Sequence, residues 1–214
     1  MNNRNIIVYD FETGGLLKAG YVPEVTQLAA VVIHPRRLEI IDKFNTEIRP
    51  LEPDKLEDKA LEVTRKTKEK LAQAPHPEQV FSDFKIFCDM YNSGKKPITA
   101  PIPAGYNIIG FDNPILQYYG EKYKIVDKET GKQTFMSNFA VLDLMQEVYW
   151  WTENSSDLPN IKLPTLVEEW LHKDSAGAHD ALYDVTVCAE LIIKFIKLKR
   201  YLYPKIAFKG KNDA

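Results

Sequence analysis

Apolar positions come in short continuous runs early in the chain and at helical spacing later. Residues 5–10 (NIIVYD) form an apolar run that closes on a carboxylate, the pattern of a short buried strand. Residues 25–33 (VTQLAAVVI) are apolar enough to predict a central strand, and residues 38–48 (LEIIDKFNTEI) alternate, which predicts a third strand with one solvated face. Two hairpin-like connections join them, the second around Pro35 and Arg36. Pro50 and Pro53 punctuate the exit from the third strand.

The period then changes. Residues 54–74 are rich in Lys, Glu and Leu and predict helix, in one or two pieces. Residues 77–91 (PEQVFSDFKIFCDMY) predict an amphipathic helix with Val80, Phe84, Phe87 and Tyr91 on one stripe. Residues 94–103 hold Pro97, Pro101 and Pro103 and read as a loop. A short strand is expected over 102–107, a helix over 113–119, a loop or small hairpin over 121–138, and a fifth strand or helix start over 139–144. A short helix over 166–171 and a long one over 179–198 complete the pattern. Three strands followed by helices alternating with two more strands predict an α/β fold with a mixed five-stranded sheet flanked by helices. We find no repeat, low-complexity tract or linker, so one domain is expected over 1–203, with 204–214 a polar tail.

Composition adds little to this picture. Hydrophobic residues make up 44% and charged residues 27%, as in ordinary globular domains. A chain of 214 residues can bury roughly 70% of its unfolded surface, so disulfides are not needed for a core. Cys88 and Cys188 have no zinc-site spacing and read as reduced thiols of a cytoplasmic protein. No signal peptide and no run near membrane-spanning length is found, so no membrane partner is expected. The formal charge of −2 disfavours broad, non-specific coating of nucleic acid but leaves room for a local acidic site.

Three segments carry candidate chemistry. Asp10 and Glu12 are two apart on a strand and project to the same face, with Phe11 opposite. Two such carboxylates need a cation or a shared proton, unless they are simply a solvated strand end. The following Thr13-Gly14-Gly15 allows close approach of the backbone to a ligand. In the second segment, GYNIIGFDNPIL, Asp112 follows a strand and opens a helix. It is either a helix cap or a site residue at the carboxyl end of the sheet. In the third, AHDALYD, His179 opens the long helix and Asp184 lies one turn in among apolar neighbours, an expensive place for an unpaired carboxylate. Asp180 and Asp184 share a helix face, and spacing alone does not choose between them. Four carboxylates and a histidine suit a site for two divalent ions that clamps a phosphodiester.

DFETGG, GYNIIGFDNPIL and HDALYD, in this order and at these distances, resemble the three motifs of the DEDD exonuclease superfamily. The His-x-x-x-x-Asp form of the third motif is similar to its DEDDh (DnaQ-like) branch. GYNxxxFD, LDLMQEVYWW and LPTLVEEW are similar in detail to the catalytic domain of the exonuclease I group. The resemblance spans about residues 5–198; the chain is too short for that group's further C-terminal domains.

The resemblance implies a ribonuclease-H-like fold and 3′→5′ hydrolysis of terminal phosphodiester bonds with two Mg²⁺ or Mn²⁺ ions. Asp10, Glu12 and Asp184 would hold the first ion. Asp10 would bridge to the second, with Asp112 assisting. His179 would be the general base, Asp180 a structural cap, and Asp143 a non-catalytic position. Thr13, Gly14 and Leu16 would meet the terminal nucleotide, with Tyr106, Asn107 and Phe111 as further substrate contacts. The expected partner is the 3′ end of single-stranded DNA, with little or no oligomer. The alternatives are an exoribonuclease, a polymerase proofreading subunit, and a silent nucleic-acid-binding module. Tyr106, Phe111, Tyr118, Tyr119, Trp150 and Trp151 are candidate base-stacking residues, against the ordinary reading of Tyr and Trp as core or half-buried side chains. The basic run at 65–70 (RKTKEK) reads as a solvated helix face.

Overall fold

The computed structural model of the chain describes residues 4–94, 96–152 and 158–206. Five strands form one sheet in the order β3-β2-β1-β4-β5, with β1 Ile6–Thr13, β2 Val25–Ile33, β3 Ile40–Glu47, β4 Ile102–Gly105 and β5 Leu142–Asp143. β1 pairs antiparallel with β2, and β2 with β3. β4 pairs parallel with β1, and β5 parallel with β4. Parallel pairing requires crossovers, and helices supply them. Asp58–Thr64 (α1), Lys68–Leu71 (α2) and Pro77–Met90 (α3) lead from β3 to β4, and Asp112–Lys122 (α4) leads from β4 towards β5. Leu144–Thr152 (α5), Leu163–Leu166 (α6) and Ala181–Ile206 (α7) follow.

The period-2 alternation of β1 divides the core. Ile7, Tyr9 and Phe11 face one side, with Val80, Phe81, Phe84 and Phe87 of α3 and Ile115, Leu116 and Tyr119 of α4. Ile6 and Val8 face the other, with Leu144 and Val148 of α5 and Val185, Cys188, Ala189 and Ile192 of α7. Burying each such side chain contributes about 1.5–3 kcal/mol, so the strands most covered on both faces set the position of everything attached to them. β2 is buried at all nine positions. Cys88 and Cys188 are free thiols buried on opposite faces of the sheet.

The elements differ from the sequence pattern mainly at their ends. β1 continues to Thr13, three residues past the end of its apolar run, because its last residues still pair with β2. The helical stretch at 54–74 breaks into a 3-10 turn at Pro53–Lys55 and then α1 and α2, with Arg65 left-handed between them at φ 55°. Residues 139–144 supply both expected alternatives, since β5 runs directly into α5. Leu166–Leu171 is a helix end followed by a π-helical turn, Val167–Leu171. α7 begins two residues later than expected and runs to Ile206, past the boundary drawn at 203. Among the described residues no helix is long and apolar enough to cross a membrane.

Candidate active site

The even-numbered residues of β1 explain where the first carboxylates go. Ile6 and Val8 sit under α7, so Asp10 and Glu12, next in the same row, emerge at the end of the sheet where α7 begins. Asp184 lies in the first turn of α7 and meets them there. One carboxylate oxygen from each of Asp10, Glu12 and Asp184 lies within 4.8 Å of the others. All three residues are half-buried. At an effective dielectric near 20, each pair of ionised groups at this spacing repels by about 3–4 kcal/mol.

The electrostatics follow from that crowding. Burial first, then the charges of Asp112, Glu12 and Asp184, hold the Asp10 carboxyl well above the ordinary carboxylate range. Burial and Asp184 push Glu12 up to about 7, against the pull of the Lys66 ammonium. Burial pushes Asp184 up to about 6, although the His179 backbone N–H and imidazole act in the opposite direction. Hard oxygen donors that bind protons this readily also favour a divalent cation. The residues present therefore fit Mg²⁺ or Mn²⁺.

Asp112 approaches from the other face of the sheet. It is buried at the first position of α4, and Phe111, not Asp112, occupies the cap position. Its Oδ1 accepts the backbone N–H of Phe11 at 2.9 Å. Asp112 is thereby fastened to the strand between Asp10 and Glu12. Burial raises its carboxyl well above the usual range, and the Phe11 N–H partly offsets this. The turn that carries it is held by Asp143. Asp143 Oδ1 accepts the N–H of Asn107 at 3.1 Å, and Oδ2 that of Ile109 at 3.2 Å. Asn107 is left-handed at φ 56°, a conformation Asn tolerates better than most residues.

His179 is exposed and stands just before α7 at φ 68°. Its backbone N–H donates to Asp184 Oδ2 at 3.1 Å. Asp180 is the cap: its Oδ1 accepts the Tyr183 N–H at 3.1 Å. The ambiguity between Asp180 and Asp184 is resolved by the helix start, since only Asp184 joins Asp10 and Glu12.

Beside Glu12 opens a cleft of about 280 Å³ walled by Thr13, Gly15, Leu16, Ala60, Val63 and Thr64, with Glu57 and Lys59 at its edge. Leu16 is 67% exposed there. Gly14 lies behind this wall, where a Cβ would come within 2.2 Å of Leu56 Cδ2. Tyr106, Asn107 and Phe111 do not line the cleft. Tyr106 packs on the α7 side of the core, and its buried hydroxyl has no hydrogen-bond partner among the described residues. Of the stacking candidates, Tyr119 is core, stacked on Phe81, while Trp150 is 71% exposed.

Two residues near the site carried no signal in the sequence pattern. Lys66, assigned to a solvated face, is buried. The left-handed Arg65 turns the chain inward, and Lys66 Nζ donates to Gln27 Oε1 at 2.7 Å. Gln27 is itself buried and pairs across the β1–β2 ladder with Glu12. Neither position departs from its neighbours in composition, so only the chain path reveals them.

The exonuclease family model (RNase_T) matches residues 7–192. No curated protein sequence matches the chain. Among solved structures, Escherichia coli exonuclease I in complex with a dT13 oligonucleotide superposes with a TM-score of 0.73 at 17% identity, over 94% of this chain and 43% of that one. A structure of exonuclease I described as suggesting how processivity is achieved superposes at 0.71 and 18% identity, with 94% and 43% coverage. A 3′-exonuclease that recognises the 3′ end of a histone mRNA stem-loop superposes at 0.68 and 18% identity, over 92% of this chain and 83% of that one. The chain thus spans less than half the length of the exonuclease I structures. The shared fold is ribonuclease-H-like, as the motif order implied.

Proposed function

The chain belongs to the exonuclease family whose model covers residues 7–192, and from that membership we propose that it removes nucleotides from the 3′ end of single-stranded DNA. The products are nucleoside 5′-monophosphates. The observation that carries this reading is the meeting of Asp10, Glu12 and Asp184 within 4.8 Å beside an open cleft.

Asp10, Glu12 and Asp184 would hold one divalent ion, and Asp10 with Asp112 a second. When bound, two such ions stabilise charge on the attacking and leaving oxygens of the phosphodiester and acidify water. The remaining work falls to the chain. Thr13 and Leu16, as walls of the cleft, take the terminal nucleotide. His179, held at the helix start by its N–H bond to Asp184, takes a proton from the attacking water on an imidazole nitrogen. The water oxygen forms its bond to the last phosphorus, the bond to the 3′ oxygen breaks, and that oxygen leaves with the shortened strand.

Single-stranded DNA is favoured by the superposition on an exonuclease I bound to dT13. One observation favours RNA instead: the histone-mRNA 3′-exonuclease is nearly matched in length, with 83% of it covered. Incubation of 3′- and 5′-labelled single-stranded DNA and RNA with Mn²⁺, Mg²⁺ or EDTA separates the readings. Metal-dependent shortening from the 3′ end, faster on DNA, is expected. Faster shortening of RNA selects the exoribonuclease, and no shortening of either strand defeats the assignment.

A further inference from the structure

We propose that Lys66 and Gln27 form a relay that positions the His179–Asp184 turn. The catalytic part of this inference rests on the exonuclease reading above; the structural part does not. Lys66 Nζ has only protons to offer, so the Gln27 atom it meets at 2.7 Å must be Oε1. That contact orients the amide. Gln27 Nε2 then faces the opposite way, donating to Asn45 Oδ1 at 2.9 Å and towards Asp180 Oδ2 at 3.4 Å.

The two oxygens of Asp180 are therefore divided. Oδ2 faces the relay, while Oδ1 accepts the Tyr183 N–H at 3.1 Å and closes the first turn of α7. The Asp180 carbonyl also accepts the Asp184 N–H at 2.9 Å. Asp180 lies between His179 and the turn that bears Asp184, so its placement sets both. The relay draws on three separate elements: the α1–α2 connection through Lys66, β2 through Gln27, and β3 through Asn45. Without the ammonium, Gln27 is free to turn its oxygen towards Asp180, where oxygen meets carboxylate and repels. Lys66 and Gln27 are accordingly positioning residues, and neither is placed on the substrate.

The test uses Lys66→Met, Gln27→Leu, the double variant and Lys66→Arg in the full chain, each checked for a cooperative thermal transition. Hydrogen exchange at the Tyr183 and Asp184 amides is measured beside kcat and KM on a labelled oligonucleotide. Lys66→Met is expected to speed exchange at these two amides and to lower kcat about tenfold or more, with KM within about twofold. Lys66→Arg, which keeps the donor, should recover most of both. The double variant should be no worse than the poorer single one, because the two residues act through one contact. Unchanged exchange in a folded Lys66→Met variant overturns the relay, and so does an additive double variant. Faster exchange in a protein whose parent degrades no nucleic acid leaves the relay standing and removes the nuclease reading.

Discussion

The backbone N–H of Phe11 donates to Asp112 Oδ1 at 2.9 Å across 101 positions of sequence. Phe11 lies between Asp10 and Glu12, so one bond ties the acidic strand to the acidic helix. Asp112→Ala leaves that buried N–H without a partner and is expected to cost about 1–3 kcal/mol of stability in denaturant unfolding. Asp112→Asn retains an oxygen acceptor and should unfold close to the parent while losing cleavage activity. Equal destabilisation by both substitutions would contradict the role of the bond.

The raised carboxyls give the metal-free protein a distinct pH response. Glu12 and Asp184 bind protons more tightly folded than unfolded, with folded values of about 7 and about 6. Their contribution to stability is therefore complete at low pH and is lost as pH rises through those values. In EDTA, the melting temperature should fall between about pH 5 and pH 8, and Mn²⁺ should recover it at the upper end. Asp10→Asn removes one of the crowded charges. It should flatten this fall and abolish metal-dependent cleavage. A metal-free melting temperature that climbs over the same range would rule the account out.

His179 combines an imidazole with a left-handed backbone at φ 68°. His179→Asn keeps a residue that tolerates this conformation, so it isolates the ring. Turnover should drop by about 10²–10⁴-fold, the usual worth of a general base. Mn²⁺ binding, followed by calorimetry, should change little. Parental turnover in this variant would show that another group takes the proton.

Gly14 carries the chain close past Leu56: an added Cβ would lie 2.2 Å from the Leu56 Cδ2 methyl in its present rotamer and 3.4 Å from its Cα. Gly14→Ala must push aside the Leu56 side chain, which is buried with Leu61 and Leu71 behind the cleft. A loss of about 1–3 kcal/mol, typical of overpacking, is expected together with a raised KM. Wild-type KM in the substituted protein would mean that the cleft wall does not follow Leu56.

Local pattern carried much of this molecule. The strand positions, the α3 stripe of Val80, Phe84 and Phe87, and the pairing of Asp10 with Glu12 on one face follow from period alone, because alternation and helical repeat act between near neighbours. Three ordered acidic motifs point to the exonuclease family from the sequence alone. What the tertiary structure alone decided depends on contacts between distant segments. It brought Asp184 to Asp10 and Glu12, fastened Asp112 to the Phe11 backbone, and took Lys66 out of solvent to meet Gln27. Each of these outcomes is set by where packing places one backbone relative to another, and no window of neighbouring residues contains that information.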